Sequence, residues 1–126
     1  MRVILDTNIL LWWMTGSDRL RPNWEKVIGN PNNIILVSSV SAAEIGIKTS
    51  IGKLPPLPEP LGEAIADAGF EELPFTIAHG QVLADLPWHH RDPFDRMIIA
   101  QGIAEGCPIV TADRIFDQYD VQTIGR

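Results

Sequence analysis

Cysteine is nearly missing from this chain: Cys107 is the only one, so no intrachain disulfide can form. Such a chain suits a reducing compartment. No apolar run approaches the roughly 18 residues that a bilayer span requires. The apolar opening Val3-Ile4-Leu5 is cut short by Asp6, before the apolar stretch of a signal peptide develops. A soluble, cytoplasmic protein without a membrane partner is the expectation. Positive charge is scarce too, with ten Lys and Arg against sixteen Asp and Glu and a formal net charge of −6. That speaks against a generic nucleic-acid binder with a broad basic face. It does not speak against an enzyme acting on nucleic acid, because bound cations reverse the field of a carboxylate cluster. The excess of acid also suits a basic protein partner. Internal repeats, low-complexity tracts and long linkers are all lacking, so one domain over 1–126 is expected.

What the chain does have is core-forming material, 45% of its residues, without help from disulfides. The pattern predicts a strand over Arg2 to Leu5 and a short buried helix from Ile9 to Met14. A second helix is expected from Ser17 to Ile28 and a buried strand from Asn33 to Val37. Ser38 to Thr49 reads as a helix, with Val40, Ala43, Ile47 and later Ile51 at helical spacing. Gly52 to Pro60 holds four prolines and must be an extended connection. Helices follow over Leu61 to Ala68, over Thr76 to Leu86 with Ile77, Val82 and Leu83 as the core face, and over Pro93 to Glu105. Phe70 to Leu73, Cys107 to Val110 and Val121 to Ile124 are the remaining short strands. Strands alternating with helices predict an α/β class, a three-layer α/β/α arrangement around a mainly parallel sheet of four to five strands.

In such sheets functional groups gather beyond the carboxyl ends of the strands. Asp6 follows the first strand, Glu44 lies in the helix opened after the second, and Asp113 follows Pro108-Ile109-Val110. Each acid has a plain structural use. Asp6 and Asp113 can cap the turns that follow them, Ser41-Ala42-Ala43-Glu44 has the spacing of a capping box, and Asp92-Pro93-Phe94-Asp95 reads as a helix start. Parallel topology nevertheless brings several strand ends side by side. Crowded carboxylates repel and raise one another's pKa values, a cost that a hard oxygen-seeking cation such as Mg²⁺ removes. A metal held by carboxylates beside a phosphodiester generates hydroxide and neutralises the charge of in-line displacement, so that chemistry needs acids rather than histidines.

Over essentially its whole length the chain resembles PIN-domain proteins, and among them the VapC-type toxins of bacterial and archaeal toxin–antitoxin pairs. Val-Ile-Leu-Asp6-Thr7-Asn8 is similar to the family's opening strand and D-T-N motif, and Ser41 to Ile45 to the motif that carries its glutamate, here Glu44. The stretch from His90 to Gln101 is the most specific, and places the family's aspartate at Asp95. Val110-Thr111-Ala112-Asp113 resembles the last motif. The resemblance implies an endoribonuclease using Mg²⁺, or Mn²⁺, with Asp6, Glu44 and Asp95 holding or orienting metal and Asp113 completing a weaker second site. It implies cleavage leaving a 5′-phosphate and a 3′-hydroxyl, with Thr7, Asn8 and Thr111 as supporting residues. It also implies a homodimer and a cognate antitoxin, a small DNA-binding protein whose tail covers the acidic site. DNA would then be reached only through that antitoxin.

Several neighbours have two readings. Asp92 is an N-cap or a further ligand; Arg91 and Arg96 hold RNA phosphates or pair with carboxylates. His89 and His90 lack matching zinc ligands elsewhere, and a general-base histidine is not required by a metal-hydroxide mechanism. Trp12 and Trp13 are read as packing rather than base-stacking residues, Cys107 as a small buried hydrophobe, and Lys48 and Lys53 as solvated surface that could touch RNA backbone. Three rivals stand beside the toxin reading. A phosphotransfer protein lacks its second aspartate, since Asn8 stands there, and its late lysine. The others are an inert PIN-like interaction module and an RNA-processing nuclease without a toxin role.

Overall fold

The computed structural model describes residues 1–125. Its centre is a five-stranded sheet in the order β3-β2-β1-β4-β5, with every neighbouring pair parallel. The strands are β1 (Arg2–Leu5), β2 (Ile34–Ser38), β3 (Glu71–Leu73), β4 (Ile109–Val110) and β5 (Thr123–Ile124). The helices are α1 (Thr7–Thr15), α2 (Pro22–Gly29), α3 (Ser39–Ser50), α4 (Leu61–Ala68), α5 (Ile77–Ala84) and α6 (Pro93–Glu105), and a 3₁₀ turn spans Arg114–Gln118. No helix among the described residues is long and apolar enough to cross a membrane.

The two-residue alternation of the strands sorts the core into two layers. Val3, Leu5, Ile35, Val37 and Val110 face one side, where Ile9, Leu10, Trp24 and Ile28 of α1 and α2 cover them. Ile4, Leu36 and Ile109 face the other, against Ile98 and Ile99 of α6 and Phe116 of the 3₁₀ turn. The expected three-layer arrangement is therefore what forms. Leu5 pairs in register with both Val37 and Val110, so the carboxyl ends of β1, β2 and β4 lie together. The chain builds outward from β1 to β2 and β3, then returns to β4 and β5 on the other side. That reversal at β1 is the topological switch point of an open parallel sheet.

Some boundaries and faces differ from the pattern-based expectation. The helix expected from Ser17 starts at Pro22, because the residue before a proline is driven out of helical backbone and Arg21 sits at ψ 156°. Of the expected stripe of α3 only Val40 is buried, beside Ser41, Glu44 and Ile45: Ala43 is exposed, Ile47 is 50% exposed and Ile51 59%. In α5, Ile77 is not a core residue; it is 86% exposed, and His79 is the buried side chain. Val82 and Leu83 are only partly buried. Cys107 is buried as expected but precedes β4 rather than opening it. The short β5 excludes Val121, and the packing of Trp12 against Trp24 and of Trp13 against Phe70 accounts for the paired tryptophans.

Candidate active site

Asp6 is the first residue beyond β1 and is only 4% exposed. Its Oδ1 accepts from the backbone N–H of Thr7 at 2.7 Å, and its Oδ2 from the Thr111 hydroxyl at 2.8 Å. Thr111 follows β4, so this bond ties two strand ends together. The Thr7 hydroxyl shares a hydrogen bond with the Ser41 hydroxyl at 2.9 Å, which locks the start of α1 to α3. Asn8 is exposed.

Glu44 is on the buried face of α3. The capping-box spacing with Ser41 has no counterpart here: Ser38 caps the helix, donor Val40 N–H to its hydroxyl at 3.0 Å, and Ser41 lies inside it. Glu44 Oε2 instead accepts from Lys48 Nζ at 2.8 Å, and its Oε1 is buried without a hydrogen-bond partner. Asp95 stands in the first turn of α6, whose start Asp92 caps by accepting from the Asp95 N–H at 3.0 Å. His90 Nε2 meets Asp95 Oδ2 at 3.3 Å. Asp113 accepts from the Ile115 N–H at 3.0 Å, capping the 3₁₀ turn, while its own N–H donates to Thr111 Oγ1 at 3.1 Å.

The electrostatics show that these acids share one field. Burial first, and then the charges of Glu44 and Asp113, raise the Asp6 pKa to about 6 against the hydrogen bonds from Thr111 and Thr7. Burial, followed by Asp6, Asp92, Glu44 and Asp113, pushes Asp95 up to about 8. The Lys48 ammonium is shifted up by its hydrogen bond to Glu44 and by the charges of Glu44, Asp92 and Asp95. Four predicted acids from separate parts of the chain thus lie near enough to act on one another's charge, with Asp92 beside them.

The same geometry sorts the other candidates. Arg96 holds no acid: it is 3% exposed, donates to the carbonyls of Pro87 and Leu86 and to the Tyr119 hydroxyl, and lies 3.7 Å from the centre of the Trp88 ring. It anchors the loop before α6 rather than a phosphate. Arg91 is exposed and forms no ion pair among the described residues. Lys53 and Lys48 are both exposed, and Lys48 also pairs with Glu44. Ser41, Lys48 and Tyr119 are the site residues that sequence reasoning missed or set aside. The i, i+4 spacing from Glu44 to Lys48 was the available signal for one of them. For Tyr119 there was none.

The donor set suits a hard divalent cation: carboxylates, hydroxyls and no thiolate. The buried Glu44 Oε1 is an acceptor whose desolvation is costly while nothing meets it. Among the described residues, no three His, Cys, Asp or Glu side chains stand grouped to enclose an ion. Mg²⁺ does not demand that, since it keeps several waters and is commonly bound by one or two carboxylates plus substrate phosphate. The residues therefore fit such an ion. A shallow cleft of about 330 Å³, lined by Thr111, Asp113, Arg114, Asp117 and Thr123 among others, opens beside Asp113.

The family model for the PIN domain matches residues 3–122. No curated protein matches the chain in sequence. Solved structures do match in fold. A chain in the structure of VapBC2 from Rickettsia felis bound to a DNA fragment from their promoter is 20% identical at a TM-score of 0.72, with 100% of this chain and 99% of that one covered. A chain of VapBC-1 from nontypeable Haemophilus influenzae is 19% identical at a TM-score of 0.65, covering 99% and 98%. The PIN domain endonuclease Utp24 is 22% identical at 0.51, covering 93% of this chain and 74% of that one. Matched over nearly all its length by the family model, and folded like these proteins, the chain belongs to the PIN-domain family.

Proposed function

We propose that this protein is a metal-dependent endoribonuclease and the toxin of a toxin–antitoxin pair, acting in the cytoplasm. PIN domains are nucleases, hydrolases of phosphodiester bonds; RNA as substrate, Mg²⁺ or Mn²⁺ as the ion, and the toxin role are the finer reading. The observation that carries it is the gathering of Asp6, Glu44, Asp95 and Asp113 near the switch point of the sheet, where burial with Glu44 and Asp113 raises the Asp6 pKa and burial with Asp6, Asp92, Glu44 and Asp113 raises that of Asp95.

Asp6, Glu44 and Asp95 would hold the ion, directly or through water, and Asp113 would complete a second, weaker position. Bound there, the ion supplies a Lewis acid and an activated water for attack on phosphorus. The protein supplies rigidity. Asp6 is clamped at both oxygens, and α6 presents Asp95 from a turn capped by Asp92. Lys48, half-exposed at the edge of the cluster, is placed to meet the negative charge of the strand being cut. Attack leaves a 5′-phosphate and a 3′-hydroxyl.

Support for a toxin comes from the VapBC complexes that share the fold and from the full coverage of their chains. A net charge of −6 suits an antitoxin with a basic segment that lies over the acids. A homodimer completes the proposal. The test is incubation of total cellular RNA with purified protein in Mg²⁺, Mn²⁺ or EDTA, beside Asp6→Asn and Asp95→Asn. Discrete metal-dependent cuts that disappear in both variants are expected, with loss of at least a hundredfold in rate. Equal behaviour of wild type and variants, with co-purified antitoxin excluded, would leave an inert PIN-like binding module in its place.

A further inference from the structure

The loop between α5 and α6 contains an arrangement that the acidic site does not by itself explain. The Tyr119 hydroxyl lies 3.2 Å from the backbone N of His90 and 3.2 Å from Arg96 Nη1, both obligatory donors. A phenol oxygen has two lone pairs and one proton. With both lone pairs taken, its proton is directed to the remaining neighbour, His90 Nδ1, at 2.7 Å. Nδ1 of the neutral ring is then the acceptor, and the ring proton sits on Nε2, 3.3 Å from Asp95 Oδ2. Tyr119 is 5% exposed and Arg96 3%, and Arg96 is fixed in turn by two backbone carbonyls and the Trp88 ring. One tautomer and one ring orientation satisfy every partner.

We propose that His90 is a positioning residue for Asp95, held as its Nε2–H tautomer by Tyr119 and Arg96, so that Asp95 keeps Oδ2 on the imidazole and offers Oδ1 to the metal. The inference rests on the metal reading of the acidic site. Partners of this kind orient a ligating carboxylate, and losing one typically costs about 10–100-fold in metal affinity. The arrangement also gives Arg96 a use that its charge alone did not suggest.

The experiment is calorimetric titration of the purified protein with Mn²⁺, on wild type, His90→Ala, His90→Gln and Tyr119→Phe, with Asp95→Asn as reference and folding checked by circular dichroism. Long-range ¹H–¹⁵N correlation spectra of the metal-free protein report the His90 tautomer independently. Wild type should show a protonated Nε2, and Tyr119→Phe a mixture of tautomers. His90→Ala should bind Mn²⁺ about tenfold more weakly, Tyr119→Phe should fall between, and His90→Gln, which restores a donor at similar reach, should recover much of the loss. Folded His90→Ala that binds Mn²⁺ as wild type does would overturn the positioning role alone. A wild type that binds no Mn²⁺ would overturn the metal reading and this inference with it. A protonated Nδ1 in wild type would overturn the role assigned to Tyr119.

Discussion

Asp95 illustrates what a single residue contributes in this site. Its pKa in the fold, about 8, lies far above the ordinary carboxyl value of 3.8, because burial and four neighbouring carboxylates oppose its charge. The folded chain therefore keeps a proton that the unfolded chain has released. Stability is fully present below about pH 4 and is lost as pH rises through 8, by at most about 1.4 kcal/mol for each unit crossed. Asp95→Asn removes the charge but leaves an oxygen for His90. In EDTA this variant should melt several degrees above wild type at pH 8.5, with the gap narrowing toward pH 5; thermal melts across that range read it directly. A gap independent of pH would mean that Asp95 does not carry the repulsion. The places of the acids were legible in the sequence: Asp6 and Asp113 follow apolar strands, Asp95 stands in the first turn of a helix, and Glu44 lies within the helix that follows β2. The residues packed around them were less so, the i, i+4 spacing of Glu44 and Lys48 being the one signal. Ser41, Lys48 and Tyr119 are ordinary residues until the fold sets a hydroxyl 2.9 Å from Thr7, an ammonium 2.8 Å from Glu44 and a phenol 2.7 Å from His90.

At the level of elements, the site depends on how α6 is seated. Gln101, fully buried in α6, accepts from the Ser38 hydroxyl and donates to the Leu73 carbonyl at 3.4 Å, pinning the helix to the ends of β2 and β3. Replacing it with Leu keeps the volume but takes the acceptor from the Ser38 hydroxyl proton and a donor from the Leu73 carbonyl, at about 1–3 kcal/mol. Gln101→Leu should lower the midpoint of urea unfolding while leaving the slope near the wild-type value. A midpoint equal to wild type would show that apolar packing alone seats α6. Buried polar residues also explain where periodicity misled. α3 turns Ser41 and Glu44 inward to build the site, so a hydrophobicity count selected the face that carries Ile47 and Ile51 instead. α5 does the same with His79, which accepts from the Thr76 N–H at 3.0 Å and pairs with Glu105 at 3.0 Å, leaving Ile77 outside. The parallel sheet, by contrast, was legible from apolar runs alternating with helices, a pattern that leaves only a handful of topologies.

For the whole molecule, the proposed metal binding would be linked to folding in one equilibrium. An ion that binds the folded chain alone adds stability, about 2.7 kcal/mol at a hundred times its dissociation constant. Here the linkage would carry a proton as well. Asp95 holds a proton below about pH 8, and an ion that takes its carboxylate must displace it. Each unit of pH below 8 should therefore weaken the apparent affinity, by up to about tenfold for one displaced proton. Saturating Mg²⁺ should raise the melting temperature by several degrees at pH 8, and a fixed, subsaturating concentration should raise it less at pH 6 than at pH 8. The increment should return to zero with EDTA and be absent in Asp6→Asn, which lacks the charge at the end of the central strand. An equal increment in wild type and Asp6→Asn would place the ion elsewhere on a surface whose net charge of −6 attracts cations without a built site.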